Sequence, residues 1–221
     1  MEIYWVEYFQ FFSLLLSIVY SRGLKKFNIS GIILWLVLAC FVDFIGENYL
    51  YFHWKNNYLL YNCYLIISYP VTFFIFFKIL AYNGWIKLVF LFINFLALAF
   101  FLLNLFLIQG IFEFNTNTLI LSEFITALLA LQVLIKLFKD DDFNILLYNH
   151  PYFWLSGGTL IFSVCILVIL GLQRYIDAHK IQIDGENIYQ ILTPIINIIL
   201  YASYSYAFFL CNKLTRKLSR Q

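Results

Sequence analysis

Charged residues are scarce in this sequence. Asp, Glu, Lys and Arg make up 12% of the 221 residues, whereas 63% are hydrophobic, and a soluble domain carries about 25% charged residues. One water-soluble core could not cover so much apolar surface, so lipid must be the solvent for most of it. The scarcity of charge therefore excludes an ordinary soluble protein and indicates a polytopic membrane protein.

The sequence also lacks the patterns of two other classes. Its net charge is only +2, and no basic patch with interleaved aromatics lies outside the apolar segments, so nucleic-acid binding is not expected. The four cysteines all fall within apolar segments and form no CxxC pair, which is typical of free thiols that behave as small hydrophobes. We therefore expect neither disulfides nor cysteine metal sites.

Seven apolar segments are long enough to span a bilayer, for which a helix needs about 20 residues. Polar breaks rich in Asn, Gly and Asp separate them. The expected spans are residues 4–20, 31–52, 58–77, 85–108, 118–138, 151–172 and 188–210. We therefore predict an all-α membrane protein in which residues 1–221 form a single seven-helix transmembrane bundle. Because no loop exceeds roughly fifteen residues, we expect its function to reside in the bundle, at its mouths or with a partner.

The distribution of Lys and Arg predicts the orientation of the bundle. With the N-terminus outside, eleven basic residues fall in cytoplasmic segments and three, Lys55, Arg174 and Lys180, fall outside. The bias favours an external N-terminus and a cytoplasmic C-terminus in the inner (cytoplasmic) membrane. The C-terminal basic residues are expected to meet anionic lipid.

Polar side chains of five expected spans lie at one depth near the outer ends. In the second span, Glu47 lies about 7 Å and Asp43 about 13 Å from the outer end, at a rise of about 1.5 Å per residue. The same count places four more polar residues within roughly 10 Å of that end. These are Glu7, Asn62, Asn104 and Glu123.

Asp43 and Glu47 share one helix face, because they are four residues apart. That face also carries Gly46 and other small residues, which permit close helix contact, so we expect both acids to face the bundle. The functional interpretation is an outward-opening pocket that binds a cation, a proton or a small polar ligand, since acids within spans are commonly functional. The alternative is a hydrogen-bond cluster that fixes helix packing.

The seventh span carries a second stripe, whose residues recur at intervals of three or four: Pro194, Asn197, Tyr201, Tyr204 and Phe208. The first three are the candidates for conformational coupling. Its functional interpretation is a kinked helix that couples an outer pocket to the cytoplasmic end. Its structural interpretation is packing around the proline, with Asn197 bonding the carbonyl that Pro194 frees. The structural interpretation is the favoured one.

Catalytic patterns are missing. His53 and His179 are expected outside and His150 inside, so the three cannot share one zinc ion, and no HxxxH or HExxH spacing occurs. An alternative site of His53, His179 and an outer acid such as Glu47 stays open. The segment Ser156-Gly157-Gly158 lacks the phosphate-loop pattern and is typical of helix packing. We expect no catalysis, cofactor or metal.

Four short motifs are similar to those of a group of small, uncharacterised bacterial seven-helix integral membrane proteins. They are DFIG at residues 43–46, Tyr61-Asn62, Ser122-Glu123 and PYFW at residues 151–154. The resemblance implies the seven-helix fold and implies no particular activity.

Three functional hypotheses follow. The first is a receptor-like sensing or regulatory module whose outer pocket binds a small ligand or cation and acts through a cytoplasmic or membrane protein partner. The second is a homo-oligomeric pore or membrane-permeabilising effector, for example of a bacterial defence system. The third is a proton- or cation-coupled carrier, which is weakened because the acids cluster near one surface and form no relay across the midplane.

Overall fold

The computed structural model of the protein describes residues 5–139, 147–179, 182–183 and 186–218, and these are almost entirely helical. The helices are α1 Trp5–Val19, α2 Ser21–Lys26, α3 Gly31–Glu47, α4 Tyr58–Leu80, α5 Gly84–Leu103, α6 Thr116–Lys139, α7 Pro151–His179 and α8 Ile188–Leu218. A π-helical turn, Asn104–Ile108, extends α5, and a 3₁₀ turn, Leu147–Asn149, precedes α7. Between α7 and α8, the two-residue strands β1 (Gln182–Ile183) and β2 (Glu186–Asn187) pair antiparallel. This helical architecture agrees with the predicted all-α fold class.

Five helical segments are long and apolar enough to cross a membrane. They are Tyr58–Leu80, Gly84–Ile108, Thr116–Lys139, Pro151–Leu172 and Ile191–Leu218, and they correspond to the third through seventh expected spans. α1 has 15 residues and α3 has 17, and Tyr4 of the first expected span lies outside the described residues. The multi-pass character of the chain is thus supported, while the total of seven spans and the orientation stay predictions.

α3 ends before the expected end of the second span at residue 52. The side chain of Asn48 donates to the Phe44 carbonyl at 2.9 Å, which competes with continuation of the helix. The chain then turns through backbone bonds between residues three apart, and His53 adopts a left-handed φ of 58°. The prediction that the second helix ends at residue 52 was therefore wrong. Glu47 is the last residue of α3, whereas the prediction placed it about one turn before the end.

Six helices form a closed ring. They pack in the order α1, α3, α4, α6, α7 and α8, and α8 packs against α1. α5 lies outside this ring, against α4 and α6. The short α2 packs on α8, where a Cβ at Gly23 would lie 3.0 Å from the backbone nitrogen of Asn212. The interior of the ring is therefore the place where side chains from most helices meet.

An apolar core packs within the ring. Its buried members include Leu24, Leu36, Phe76, Leu137, Leu155 and Phe208. The outer surface is also apolar: Trp85 at the start of α5 and Leu107 in the π-helical turn that extends α5 are 78% and 76% exposed. Exposure of such a surface to water is unfavourable, whereas exposure to lipid is not. The exposed faces therefore match the membrane environment that the composition predicts.

Glycines bring helices together at two predicted packing sites. A Cβ at Gly158 of α7 would lie 2.6 Å from the Cβ of Ser203 in α8, whereas nothing lies within 4 Å of a Cβ at Gly157. A Cβ at Gly46 of α3 would lie 2.8 Å from the Tyr61 hydroxyl of α4. The packing role is confirmed for Gly46 and Gly158, and Gly157 takes no part in it.

His150 caps the first turn of α7, just before the sixth expected span. The Tyr152 backbone N–H donates to His150 Nδ1 at 3.2 Å, and the Tyr152 hydroxyl donates to the Phe27 carbonyl at 2.7 Å. Burial lowers the pKa of His150 to about 4, and the partial positive charge of a helix N-terminus opposes a cation there as well. The neutral imidazole is therefore the form that accepts the capping hydrogen bond.

We expect this cap to make the protein less stable as the pH falls from 6.5 toward 4. In that window the unfolded chain protonates His150 at its ordinary pKa of 6.5, whereas the folded chain does so only near 4, so protons favour unfolding. Above pH 6.5 both states are neutral and the contribution is constant. His150→Asn keeps a capping acceptor that does not titrate. Thermal melts at pH 7 and 5 should show an extra loss in the wild type of about 1–2 kcal/mol; equal losses in both proteins would contradict the prediction.

Candidate functional site

A cavity of about 310 Å³ lies inside the ring. α3, α4, α6, α7 and α8 all contribute to its wall, together with Phe114 from the loop between α5 and α6. Its polar side chains include Asp43, Ser68, Ser122, Glu123, Ser163 and Asn197. Among the lining residues that the structure describes, Asp43 and Glu123 are acidic and none is Lys, Arg or His.

Asp43 is held in place by α1. The side-chain nitrogen of Gln10 donates to Asp43 Oδ2 at 2.8 Å, and Gln10 is buried with Glu7, Ser13 and Ser17 on the face of α1 toward the ring. Sequence reasoning placed Asp43 in the bundle and missed Gln10. The signal was available, because these four polar residues recur at intervals of three and four in an otherwise apolar helix.

Glu123 is held by a hydroxyl of the next helix in the ring. Ser163 of α7 donates from its Oγ to Glu123 Oε2 at 2.5 Å. Ser163 is fully buried and was not predicted as a site residue. The two acids are thus each anchored by a neutral donor from a neighbouring helix.

Three buried tyrosines add hydroxyl groups to the cavity wall. Thr159 Oγ1 donates to the Leu155 carbonyl at 2.8 Å, so Tyr204, whose hydroxyl lies 2.8 Å from the same oxygen, donates to it. Tyr69 is 3% exposed, and its hydroxyl has no hydrogen-bond partner among the described residues. The third tyrosine, Tyr201, is one of the predicted coupling residues.

The predicted coupling stripe of α8 faces the cavity in part. Asn197 and Tyr201 line it, as does Thr193, whereas Pro194 does not. The Asn197 side chain donates to the Thr193 carbonyl at 3.0 Å. A proline frees the carbonyl four residues before it, so the expected bond from Asn197 to the carbonyl freed by Pro194 is not the one formed.

Asn62 and Asn104 do not line the cavity. Asn62 donates to the carbonyls of Ile111 and Glu113 at 3.2 and 2.8 Å, and it accepts from the Asn115 N–H at 3.0 Å. The side chain of Asn104 donates to polar side chains of the same loop and of α6, which are Gln109, Asn115 and Thr118. The two amides therefore hold the loop that carries Phe114 in place.

Glu7 and Glu47 also lie outside the cavity lining. Glu7 is buried at 3% exposure on α1, and Glu47 is exposed at the end of α3. Of the six predicted ligand-binding residues, Asp43 and Glu123 therefore share the cavity, and Glu7, Glu47, Asn62 and Asn104 do not.

Hydroxyl residues of the wall were not among the predicted ligand-binding residues, although Tyr61 and Tyr64 were expected near the acids as donors. In α4, Tyr61, Tyr64, Ser68 and Thr72 recur at intervals of three or four and all face the cavity. The same spacing joins Ser122 to Thr126 and Thr159 to Ser163. This stripe could have been found, because hydroxyls on one face of a membrane helix are expected to avoid lipid.

A metal site does not form from the sequence candidates. Among the described residues, no group of three or more His, Cys, Asp or Glu side chains is placed to hold a metal ion. The alternative site of His53, His179 and Glu47 is therefore not assembled.

No family model, curated protein or solved structure matches the chain significantly. The function is therefore argued from the geometry of the cavity and its surroundings.

Proposed function

We propose that the protein is a non-enzymatic, receptor-like membrane module that binds a small ligand in the ring cavity and acts through a protein partner. We place it in the cytoplasmic membrane with its N-terminus outside, among the small bacterial seven-helix proteins that it resembles. The observation that carries the proposal is the cavity itself, where five helices bring polar groups together. Its volume of about 310 Å³ falls at the lower end of the usual range for ligand sites.

The position of the cavity supports an outward-facing site. Its wall uses residues near the C-terminal end of α3 and the N-terminal ends of α4 and α6, including Asp43, Tyr61 and Leu119. In the expected topology, most Lys and Arg residues lie at the opposite end of the bundle, which the positive-inside rule assigns to the cytoplasm.

The apolar core favours a receptor over a carrier or a pore through a single chain. Side chains such as Leu36, Phe76 and Phe208 are at most 2% exposed and pack within the ring. Leu, Ile, Val and Phe side chains make up most of this core, and they cannot replace the hydration of an ion that crosses the bundle. A single chain with this interior is therefore better suited to bind a ligand than to conduct ions.

α8 provides the route for coupling in this proposal. Asn197 and Tyr201 line the cavity, Phe208 is in the apolar core, and Cys211 packs where Gly23 of α2 approaches α8. One continuous helix thus joins the cavity to the basic end. Pro194 lies at the cavity level of α8, where a helix bends most readily.

The proposal is tested with the protein in lipid nanodiscs and a library of small amines, polyols, amino acids and carboxylates. We expect at least one compound to raise the melting temperature and to change hydrogen exchange in α2 and in the last turns of α8. Ser122→Phe places a ring in the cavity and should abolish the stabilisation, with Ser122→Val as a smaller change that should weaken it. Leu128→Phe adds the same ring on the exposed face of α6 and should have no effect.

Two results would overturn this function. One is the absence of any stabilising compound for folded wild-type protein. The other is sustained ion flux through reconstituted wild-type protein in liposomes, lost in Ser122→Phe, which would favour the pore or the carrier.

A further inference from the structure

The charges of the cavity are unbalanced within its described lining. Asp43 and Glu123 are both acidic, and no lining residue is basic. A carboxylate removed from water is costly unless a positive charge or several donors compensate it. In a membrane interior, a ligand with a positive charge would supply the missing partner.

Each carboxyl keeps one oxygen for a ligand. Gln10 donates to Asp43 Oδ2, and Ser163 donates to Glu123 Oε2. These neutral donors fix the orientation of both side chains without neutralising them. Oδ1 of Asp43 and Oε1 of Glu123 are therefore acceptors that a ligand N–H group could use.

A second, independent observation also points to a ligand. The Tyr69 hydroxyl is buried and has no partner among the described residues, although Tyr69 lines the cavity. A buried hydroxyl without a hydrogen bond has lost its hydration and gained no replacement, which is unfavourable. A polar ligand in the cavity would remove that cost.

The walls are aromatic as well as acidic. Trp35, Tyr61, Tyr64 and Phe162 line the cavity together with Tyr201. Faces of such rings attract ammonium groups, and they also cover the apolar part of a small organic molecule. Acidic and aromatic groups together favour an organic cation over a sugar or a carboxylate.

The size of the cavity argues against a bare metal ion. A metal ion needs several oxygen ligands within about 2.0–2.6 Å, and the described residues contain no group of three or more acidic, His or Cys side chains placed to hold one. A space of about 310 Å³ instead suits a molecule of several heavy atoms.

We propose that the ligand is a small organic amine, with its ammonium group bound by the carboxyl of Asp43 or of Glu123 and its apolar part against the aromatic wall. This inference rests on the proposed function.

The test uses matched compounds that share an apolar part and differ in the charge and chemistry of the head group. 2-Phenylethylamine is compared with 2-phenylethanol and 3-phenylpropionate, and butylamine with butanol, by thermal unfolding and calorimetry in nanodiscs. We expect the amines to bind at least tenfold more tightly than the alcohols and the carboxylate not to bind.

Amide variants locate the charge recognition. Asp43→Asn and Glu123→Gln each keep an oxygen that accepts from Gln10 or Ser163, so the fold should survive. The variant of the carboxyl that binds the ammonium group should weaken amine binding at least tenfold and leave alcohol binding unchanged. Glu47→Gln is the matched control, because Glu47 lies one turn along α3 and outside the cavity lining; it should change neither.

The outcomes separate this inference from the proposed function. Equal binding of amines and alcohols, both blocked by Ser122→Phe, would overturn the amine inference and leave the ligand site intact. Amine binding that neither Asp43→Asn nor Glu123→Gln weakens more than Glu47→Gln does would also overturn it. No binding by any compound of the larger library would remove both proposals.

Discussion

Replacing Asn62 with leucine is expected to lower the free energy of unfolding by about 3 kcal/mol or more. Asn62 is 1% exposed and makes three hydrogen bonds to the loop that follows α5. Leucine removes all three and leaves the buried N–H of Asn115 and the carbonyls of Ile111 and Glu113 without this partner. The melting temperature should fall by more than about 5 °C, and hydrogen exchange of residues 111–115 should increase.

Cys63→Leu is the control for this change. Cys63 is the next residue of α4 and its side chain is exposed, so leucine there meets the surrounding lipid or detergent and breaks no bond of the loop. Unchanged exchange of residues 111–115 in Asn62→Leu would show that the loop is held by other contacts. Because Phe114 of this loop lines the cavity, ligand affinity should also change in Asn62→Leu and not in Cys63→Leu.

Alanine at two adjacent glycines of α7 is expected to change stability in opposite directions. At Gly158 the new Cβ would lie 2.6 Å from Ser203 Cβ, so α7 and α8 must move apart, at a cost of about 1–3 kcal/mol for overpacking. At Gly157 nothing lies within 4 Å of the new Cβ. Alanine there should stabilise the helix by about 0.5–1 kcal/mol, because it restricts the unfolded chain more than glycine does.

Thermal melts of Gly157→Ala and Gly158→Ala measured side by side check this prediction. The pair shares helix, depth and chemical change, so helix propensity cancels and packing against α8 is the remaining difference. A double variant, Gly158→Ala with Ser203→Gly, removes the opposing Cβ and should recover most of the lost stability. Equal melting temperatures for the two single variants would mean that α7 and α8 do not pack this closely.

Much of the fold could be predicted because a membrane helix is specified by local sequence. A run of about 20 apolar residues satisfies its own backbone in lipid whatever its neighbours are. The third through seventh expected spans accordingly match helices of sufficient length. The predicted end of the second span was wrong because the Asn48 side chain donates to the Phe44 carbonyl. Apolar content does not reveal such local competition with the helical hydrogen bonds.

The candidate site was predicted less well, because the expected depth of a residue in the membrane does not determine which way its side chain points. Asp43 and Asn62 were assigned to one outer layer, yet Asp43 faces the cavity and Asn62 bonds a loop. The rotation of each helix about its own axis decides whether a polar side chain faces the cavity or bonds a loop. Glu47, one turn after Asp43, is exposed because α3 ends there.

The sequence by itself determined that this chain is a multi-pass helical membrane protein, that acids enter its apolar segments and that small residues accompany them. Only the tertiary structure decided which polar groups meet. Gln10 and Asp43 are 33 residues apart and Glu123 and Ser163 are 40 residues apart, and each pair forms because the order and rotation of helices in the ring bring the two side chains together. Hydropathy predicts each membrane helix separately, whereas a cavity shared by several helices depends on the contacts between them.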